Sequence, residues 1–263
     1  MAGPDDDGAD ADGAADRRRG TGRPRSPGIA ASFRAAATDF YYQSIRLVPA
    51  NVAWGLTLLA WLAFGLGAGP LIALITAPLL AVPYVAIARL AVLTARGRDV
   101  VLSDAVDAIR RFGLVALVAG ALSALGFAIL ASNVIVGANL EGPVGWVLST
   151  LAAAGLIGLW VYGVPFWVLL VDPDRDGQSV RAKARLAALL TAAAPGRLSW
   201  LAFLLFLVLV VSTIAIVALL TIAPAYSLLV ASRYTLPLSD RLEDWLAAHG
   251  RAIGPGRRGD AAG

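Results

Sequence analysis

The chain has 263 residues, 58% of them hydrophobic and only 15% charged, with 27 glycines and a formal net charge of +4. A soluble domain carries about 25% charged residues, so this composition excludes a disordered chain and speaks against an ordinary soluble enzyme. There is no cysteine, which excludes disulfide scaffolds, cysteine-ligated zinc and cysteine nucleophiles; the single histidine, His249, excludes histidine metal clusters and, lying near the C-terminus, is not expected to serve a Ser-His-Asp triad.

Residues 1–31 are rich in Asp, Arg and Gly and lack apolar periodicity, which predicts a disordered N-terminal tail. No apolar stretch follows Arg17-Arg18-Arg19, so this is not a signal peptide. Beyond it, four runs contain no charge at all: 47–88, 112–140, 142–171 and 198–232. Each exceeds the roughly 20 apolar residues that cross a bilayer. A chain in lipid must satisfy its own backbone hydrogen bonds, and these runs lack the strict alternation of barrel strands. The predicted fold is therefore all-α, a polytopic transmembrane helical bundle occupying residues 32–238, with a cytoplasmic C-terminal tail at 239–263.

The first and last runs are too long for one crossing. Three glycines and Pro70 within 65–70 break the first into spans at 48–64 and 71–93. The middle runs give spans at 112–136 and 144–171. The last breaks around Thr221–Pro224, giving a span at 199–220 and a short sixth segment at 223–236. Three short helices are predicted outside the spans. One, at 102–112, lies on the membrane, is capped by Ser103, and carries Asp104 and Asp107 early and Arg110 and Arg111 late, in keeping with the helix dipole. The second covers 179–194. The third covers 239–248, with Ser239 as cap and Gly250 as stop.

Basic residues set the orientation, because Lys and Arg accumulate on the cytoplasmic side. They fall in the N-terminal tail, around the second connection (Arg89 to Arg111), in the fourth (Arg175 to Arg197) and in the C-terminal tail. The connections near Gly67, Gly142 and Ile222 have none. Six segments put every basic residue on one side, with both termini cytoplasmic, in a multi-pass protein of the bacterial inner membrane. Phe40, Tyr41, Tyr42, Trp146 and Trp200 are expected as interfacial anchors.

Chemistry is sparse. Asp172-Pro173-Asp174-Arg175-Asp176-Gly177 copies the start of a calcium loop, but the twelfth position, which must supply a bidentate carboxylate, is Lys183. A polar turn at the end of the fourth span is the expected reading. No ionisable residue lies within the charge-free runs, which argues against proton-coupled transport; Arg89, one turn inside the second span, can snorkel to the surface. Asn51, Asn133 and Asn139 are expected to cap or bridge helices. The 65–70 segment is not a nucleotide loop, and scattered arginines without interleaved aromatics do not make a nucleic-acid surface. No catalytic, cofactor or metal site is predicted, and the chain is read as not an enzyme. Helix breaks near Pro78, Pro83 and Pro224, with Thr76, Tyr84, Thr221 and Tyr226 nearby, could offer hydroxyls to an uncharged solute. Small residues at spacing four (Ala116, Gly120, Ala124, Ala128, Ser132, and Gly145, Ser149, Ala153) predict close packing of the third and fourth spans, or a homo-oligomer face.

The connecting segments resemble the YesL-like family of bacterial integral membrane proteins. The similar stretches are Arg96-Gly97-Arg98-Asp99 through Asp104, then Ile109-Arg110-Arg111-Phe112; Asn51-Val52-Ala53-Trp54, like the family's N-x-x-W; Ala194-Pro195-Gly196-Arg197; Thr221 to Pro224; and Leu228 to Arg233. The family's first hairpin turns at a Gly-Pro pair, which here is Gly69-Pro70 unless Pro78 takes that place, and the Phe of its D-F pair is Ala105. The resemblance implies an accessory component of solute, specifically carbohydrate, transport, working in the lipid bilayer with ABC transporter subunits. A lipid-interacting structural protein and a stand-alone permease are the alternatives.

Overall fold

The computed structural model describes residues 28–252, so most of the expected N-terminal tail and the end of the C-terminal one lie outside the described residues. Among these residues there is no strand. The chain runs through α1 (Ile29–Ala68), α2 (Pro70–Thr76), α3 (Ala81–Ala95), α4 (Leu102–Asn139), α5 (Pro143–Leu170), α6 (Val180–Ala193), α7 (Pro195–Ile214), α8 (Ile216–Thr221) and α9 (Ala223–Ala252), with 3-10 turns at Ala77–Leu80 and Pro173–Arg175. Five segments are long and apolar enough to cross a membrane: Ile29–Gly65, Pro70–Ala95, Leu102–Asn139, Pro143–Leu170 and Pro195–Ile214. They contain the first three spans expected from the charge gaps, match the fourth to within a residue at its end, and overlap the fifth as far as Ile214. Their outward faces are apolar, with Leu114, Leu122, Leu151 and Phe203 all exposed, as lipid-facing helices require. Tyr41, Tyr42, Trp146 and Trp200 also face outward, whereas Phe40 turns inward and packs on the core, edge-to-face with Tyr226.

The first hairpin turns at Gly69, whose φ of 93° is the left-handed region that glycine enters without steric cost. Pro70 then opens α2 at a position where its missing N–H is no loss, and the Trp61 Nε1–H donates to the Ala73 carbonyl at 2.9 Å, tying the two arms together. Pro78 does not make this turn. It sits in the 3-10 turn that joins α2 to α3.

Several expected boundaries move. The helix at 102–112 is not a separate element lying on the membrane, because α4 runs unbroken from Leu102 to Asn139. Ala105, Ala108, Phe112 and Ala116 form one buried stripe across the expected break, and nothing in the backbone interrupts it. Asp104, not Ser103, serves its start, accepting the Val101 N–H at 2.9 Å. Likewise the short helix at 239–248 is the continuation of α9, which passes Pro237 and Gly250 and reaches Ala252. Ser239 is no cap; its hydroxyl donates back to the Leu236 carbonyl at 2.8 Å. The fifth span ends early, at Ile214, and a break at Ala215 releases the short α8. Ser179 does cap α6, accepting from the Ala182 N–H at 3.2 Å.

The core lies where α3 and α9 meet α1. Val85, Ile87, Leu90 and Val92 of α3 and Ala225, Leu229 and Val230 of α9 are fully buried. α9, which contains the short sixth segment expected at 223–236, is thus a core helix, and it is not among the five segments long and apolar enough to cross a membrane. It begins at depth: the Ala225 N–H donates to Asn51 Oδ1 at 3.1 Å, and Asn51 lies well inside the Ile29–Gly65 segment. Small residues permit the close crossings. A Cβ on Gly55 would lie 2.9 Å from Leu220, and one on Gly120 would lie 2.8 Å from the Cβ of Ala81. At Gly120, then, the third span's small-residue row packs against the second span, not the fourth. The row beginning at Gly145 does pack against the third span, with the Ser149 hydroxyl donating to the Val134 carbonyl at 3.3 Å.

Candidate functional site

Two features stand out, one at the charged end of the bundle and one inside it. At the charged end, the turn after α5 is the centre of an ion-pair network. Asp172 is fully buried. It accepts from Arg96 Nε at 3.3 Å and Nη2 at 2.7 Å, and from Arg175 on its own turn. Arg96 also reaches Asp240 of α9 through Nη1 at 2.7 Å. Arg175, itself 3% exposed, donates to Asp240 at 2.7 Å and Glu243 at 2.6 Å. Asp176 receives Arg89 of α3 at 3.1 Å and Arg111 of α4 at 2.8 Å, while Asp174 pairs with Arg98. Lys183 of α6 is buried as well, donating to the Leu170 carbonyl at 2.7 Å and resting 5.4 Å over the Phe112 ring. Burial pushes its ammonium below the ordinary lysine value, offset in part by Asp176 and Asp172.

The residues of the calcium-like sequence therefore hold arginines. Among the described residues no group of three or more His, Cys, Asp or Glu is arranged to hold a metal ion. Arg89 does not snorkel away from the bundle; it folds onto the turn, with Nη1 also 2.6 Å from the Val171 carbonyl. The network joins α3, α4, α5 and α9 at one point. The sequence signal that could have found it was the coincidence of Arg-rich connections with an acid-rich turn and the Asp240–Glu243 pair.

Burial alone would raise the Asp240 carboxyl, but hydrogen bonds from Arg96 and Arg175 outweigh it and hold the group below the usual aspartate value. Its folded pKa is depressed, so its stabilising effect is complete above the unfolded value of about 3.9 and is lost as pH falls through the lower folded value. Thermal unfolding of the detergent-solubilised protein is expected to be insensitive to Asp240 protonation from pH 7 to about 5 and to steepen below about 4. Asp240→Asn should lower stability at neutral pH and flatten the acid limb. Parallel curves for the variant and the natural chain would exclude Asp240 as a source of the acid loss.

Inside the bundle lies a cavity of about 270 Å³. Trp54 of α1, Tyr84 of α3, Phe127 of α4, Trp160 and Trp167 of α5 and Pro224 of α9 surround it, with the hydroxyls of Ser123 and Ser227. Trp167 meets Tyr84 edge-to-face at 5.3 Å. Trp160 is fixed by donating its Nε1–H to the Ala202 carbonyl at 3.0 Å. Ser227 is buried and its hydroxyl has no hydrogen-bond partner. No Asp, Glu, Lys, Arg or His lines the space.

Of the polar groups expected near helix breaks, only Tyr84 reaches the cavity. Thr76 and Thr221 bond back to Ile72 and Val217 within their own helices, and the Tyr226 hydroxyl donates to the Phe33 carbonyl at 3.2 Å. Asn139 likewise bonds to Ile135. Sequence reasoning missed Trp160, Trp167, Ser123 and Ser227, whose clustering depends on how three helices, α4, α5 and α9, are rotated. Compared with protein-family models, with curated proteins and with solved structures, the chain matches none.

Proposed function

We propose that the protein is an accessory membrane component of solute transport, that its solute is an uncharged carbohydrate-like molecule, and that the internal aromatic cavity receives it. The observation that carries this reading is the cavity with an unpartnered, buried Ser227 hydroxyl on its wall. A buried hydroxyl without a partner costs free energy, and a ligand hydroxyl would satisfy it. The indole and phenol rings offer flat apolar faces suited to the C–H face of a sugar ring, and the absence of ionisable lining groups disfavours a charged solute, whose desolvation would go uncompensated. The site also has the setting common in transport proteins, beside a helix that starts within the membrane: Pro224, at the first turn of α9, lines it.

Membership of the YesL-like family is part of the same proposal. Asn51 and Trp54, the pair on which the N-x-x-W resemblance rests, both serve this region, one by holding the first turn of α9 and the other by lining the cavity. On this reading the charged end faces the cytoplasm of a bacterium, and its helices meet ABC transporter subunits.

The test is a sugar titration of the full chain in detergent, followed by intrinsic tryptophan fluorescence. Saturable quenching by a mono- or disaccharide is expected, with affinity reduced about threefold to tenfold in Ser227→Ala, the worth of one hydrogen bond. Absence of any saturable response across neutral sugars, together with recovery of the protein alone from native membranes, would overturn the proposal.

A further inference from the structure

A second, outward-facing groove adjoins the cavity between α4 and α5, sharing Ser123, Leu159, Gly163 and Trp167 with it. It measures about 550 Å³ and is lined by Leu114, Val118 and Leu122 of α4, Leu159 and Phe166 of α5, and Val180 at the first turn of α6. Leu114, Val118 and Leu122 are each more than half exposed, so this is a surface channel and not part of the core. Its direction is fixed by the chain. From Arg111 at the charged end to Leu122, α4 advances about 16 Å at 1.5 Å per residue, roughly half the hydrocarbon thickness of a bilayer. The groove therefore opens at the charged end and runs into the apolar belt.

Its mouth is basic. Arg110 and Arg111 sit one helical turn before the lining residues Leu114 and Val115, at the spacing that places side chains on the same face. Arg181 follows Val180 directly. Arg111 is half-exposed even though it pairs with Asp176. Arg110 and Arg181 are exposed and make no hydrogen bond or ion pair among the described residues. α6 has no acidic residue in its first turn to neutralise them.

We propose that this groove is a binding site for one anionic phospholipid, with an acyl chain along Leu114, Val118 and Leu122 and the phosphodiester headgroup between Arg110, Arg111 and Arg181. An apolar channel that ends in unpaired cations matches the two halves of that molecule. A zwitterionic lipid would satisfy the channel alone, and a free phosphate the mouth alone. Basic pockets between membrane helices recognise anionic headgroups in this way. The groove shares part of its inner wall with the cavity, but Leu122 and the charged mouth lie outside the cavity, so loss of lipid binding and loss of sugar binding are separately readable.

The experiment is native mass spectrometry of the full chain from detergent, with phosphatidylglycerol and phosphatidylcholine of the same acyl chains, and with glycerol phosphate as the headgroup alone. One tightly held phosphatidylglycerol is expected in preference to phosphatidylcholine. The double variant Arg110→Gln, Arg181→Gln should lose about 25-fold in phosphatidylglycerol affinity, about fivefold per arginine at a membrane surface, with phosphatidylcholine binding unchanged. Arg111 is left intact because it also serves the ion-pair network. Leu122→Trp, which fills the channel at a lipid-exposed position, should weaken both lipids while the protein keeps its melting temperature. Equal affinity for the two lipids, unchanged phosphatidylglycerol binding in either variant, or full competition by glycerol phosphate would overturn the proposal.

Discussion

Replacing Asp172 by asparagine is expected to destabilise the bundle by about 3–5 kcal/mol, the usual cost of removing one partner from a buried ion pair. The carboxylate is fully buried and stands between Arg96 and Arg175. Burial opposes the charge of both guanidiniums, but the hydrogen bonds they donate to their acidic partners raise their pKa values nonetheless. Asparagine keeps the volume and removes the charge, leaving Arg175 at 3% exposure with less to balance it. The loss measures an uncompensated cation, not the net worth of the network, since a well-packed apolar replacement of a whole buried pair can be neutral. Asp174 is the control. It pairs with Arg98 and Arg96 but is 42% exposed, so Asp174→Asn should cost about 1 kcal/mol or less. Thermal unfolding in a mild detergent reads both, and equal shifts for the two variants would refute the central role given to Asp172.

The second large effect is steric. Between α4 and α5 the backbones come so close that a Cβ on Gly145 would stand 2.2 Å from the Leu140 carbonyl oxygen and 2.6 Å from that of Gly137. Both obstacles are backbone atoms, which cannot rotate aside. Gly145→Ala is therefore expected to force the hairpin open and cost about 3 kcal/mol, the upper part of the overpacking range. Gly158, on the same helix, has nothing within 4 Å of its would-be Cβ, and Gly158→Ala should be neutral or stabilising by about 0.5–1 kcal/mol. The pair isolates contact from helix propensity, and similar melting temperatures for the two would mean that the close approach is not real.

Charge gaps made the five long spans legible, because lipid imposes one rule on every residue of a crossing. The ends of helices were less legible. The stripe Ala105, Ala108, Phe112, Ala116 reads equally well as the face of a surface helix or as the foot of a longer one, and only packing against α3 decides. The role of α9 was hidden for a related reason: its short apolar stretch looked like a marginal span, whereas Ser232 and Thr235 are fully buried in the centre of the fold. Asn51 could be read as a cap or bridge, but its partner, Ala225, lies 174 positions away. The ion-pair network needed two connections and α9 to be placed at one end together, which charge patterning suggests for the connections but cannot pair atom by atom.

The placement of α9 bears on how the protein is made. It is not among the segments apolar enough to cross a membrane by themselves, and its buried face carries Ser227, Ser232, Thr235 and Ser239. Such a segment gains little from hydrocarbon alone. Ser232 and Ser239 bond back to their own helix, but the Ala225 N–H and the Arg233 guanidinium find their partners, Asn51 and Asp39, only on α1. The expected consequence is an ordered biogenesis, in which the early helices enter the bilayer on their own hydrophobicity and the last settles against the assembled bundle, so that Asn51→Ala should impair the seating of α9 without impairing insertion of the helices before it.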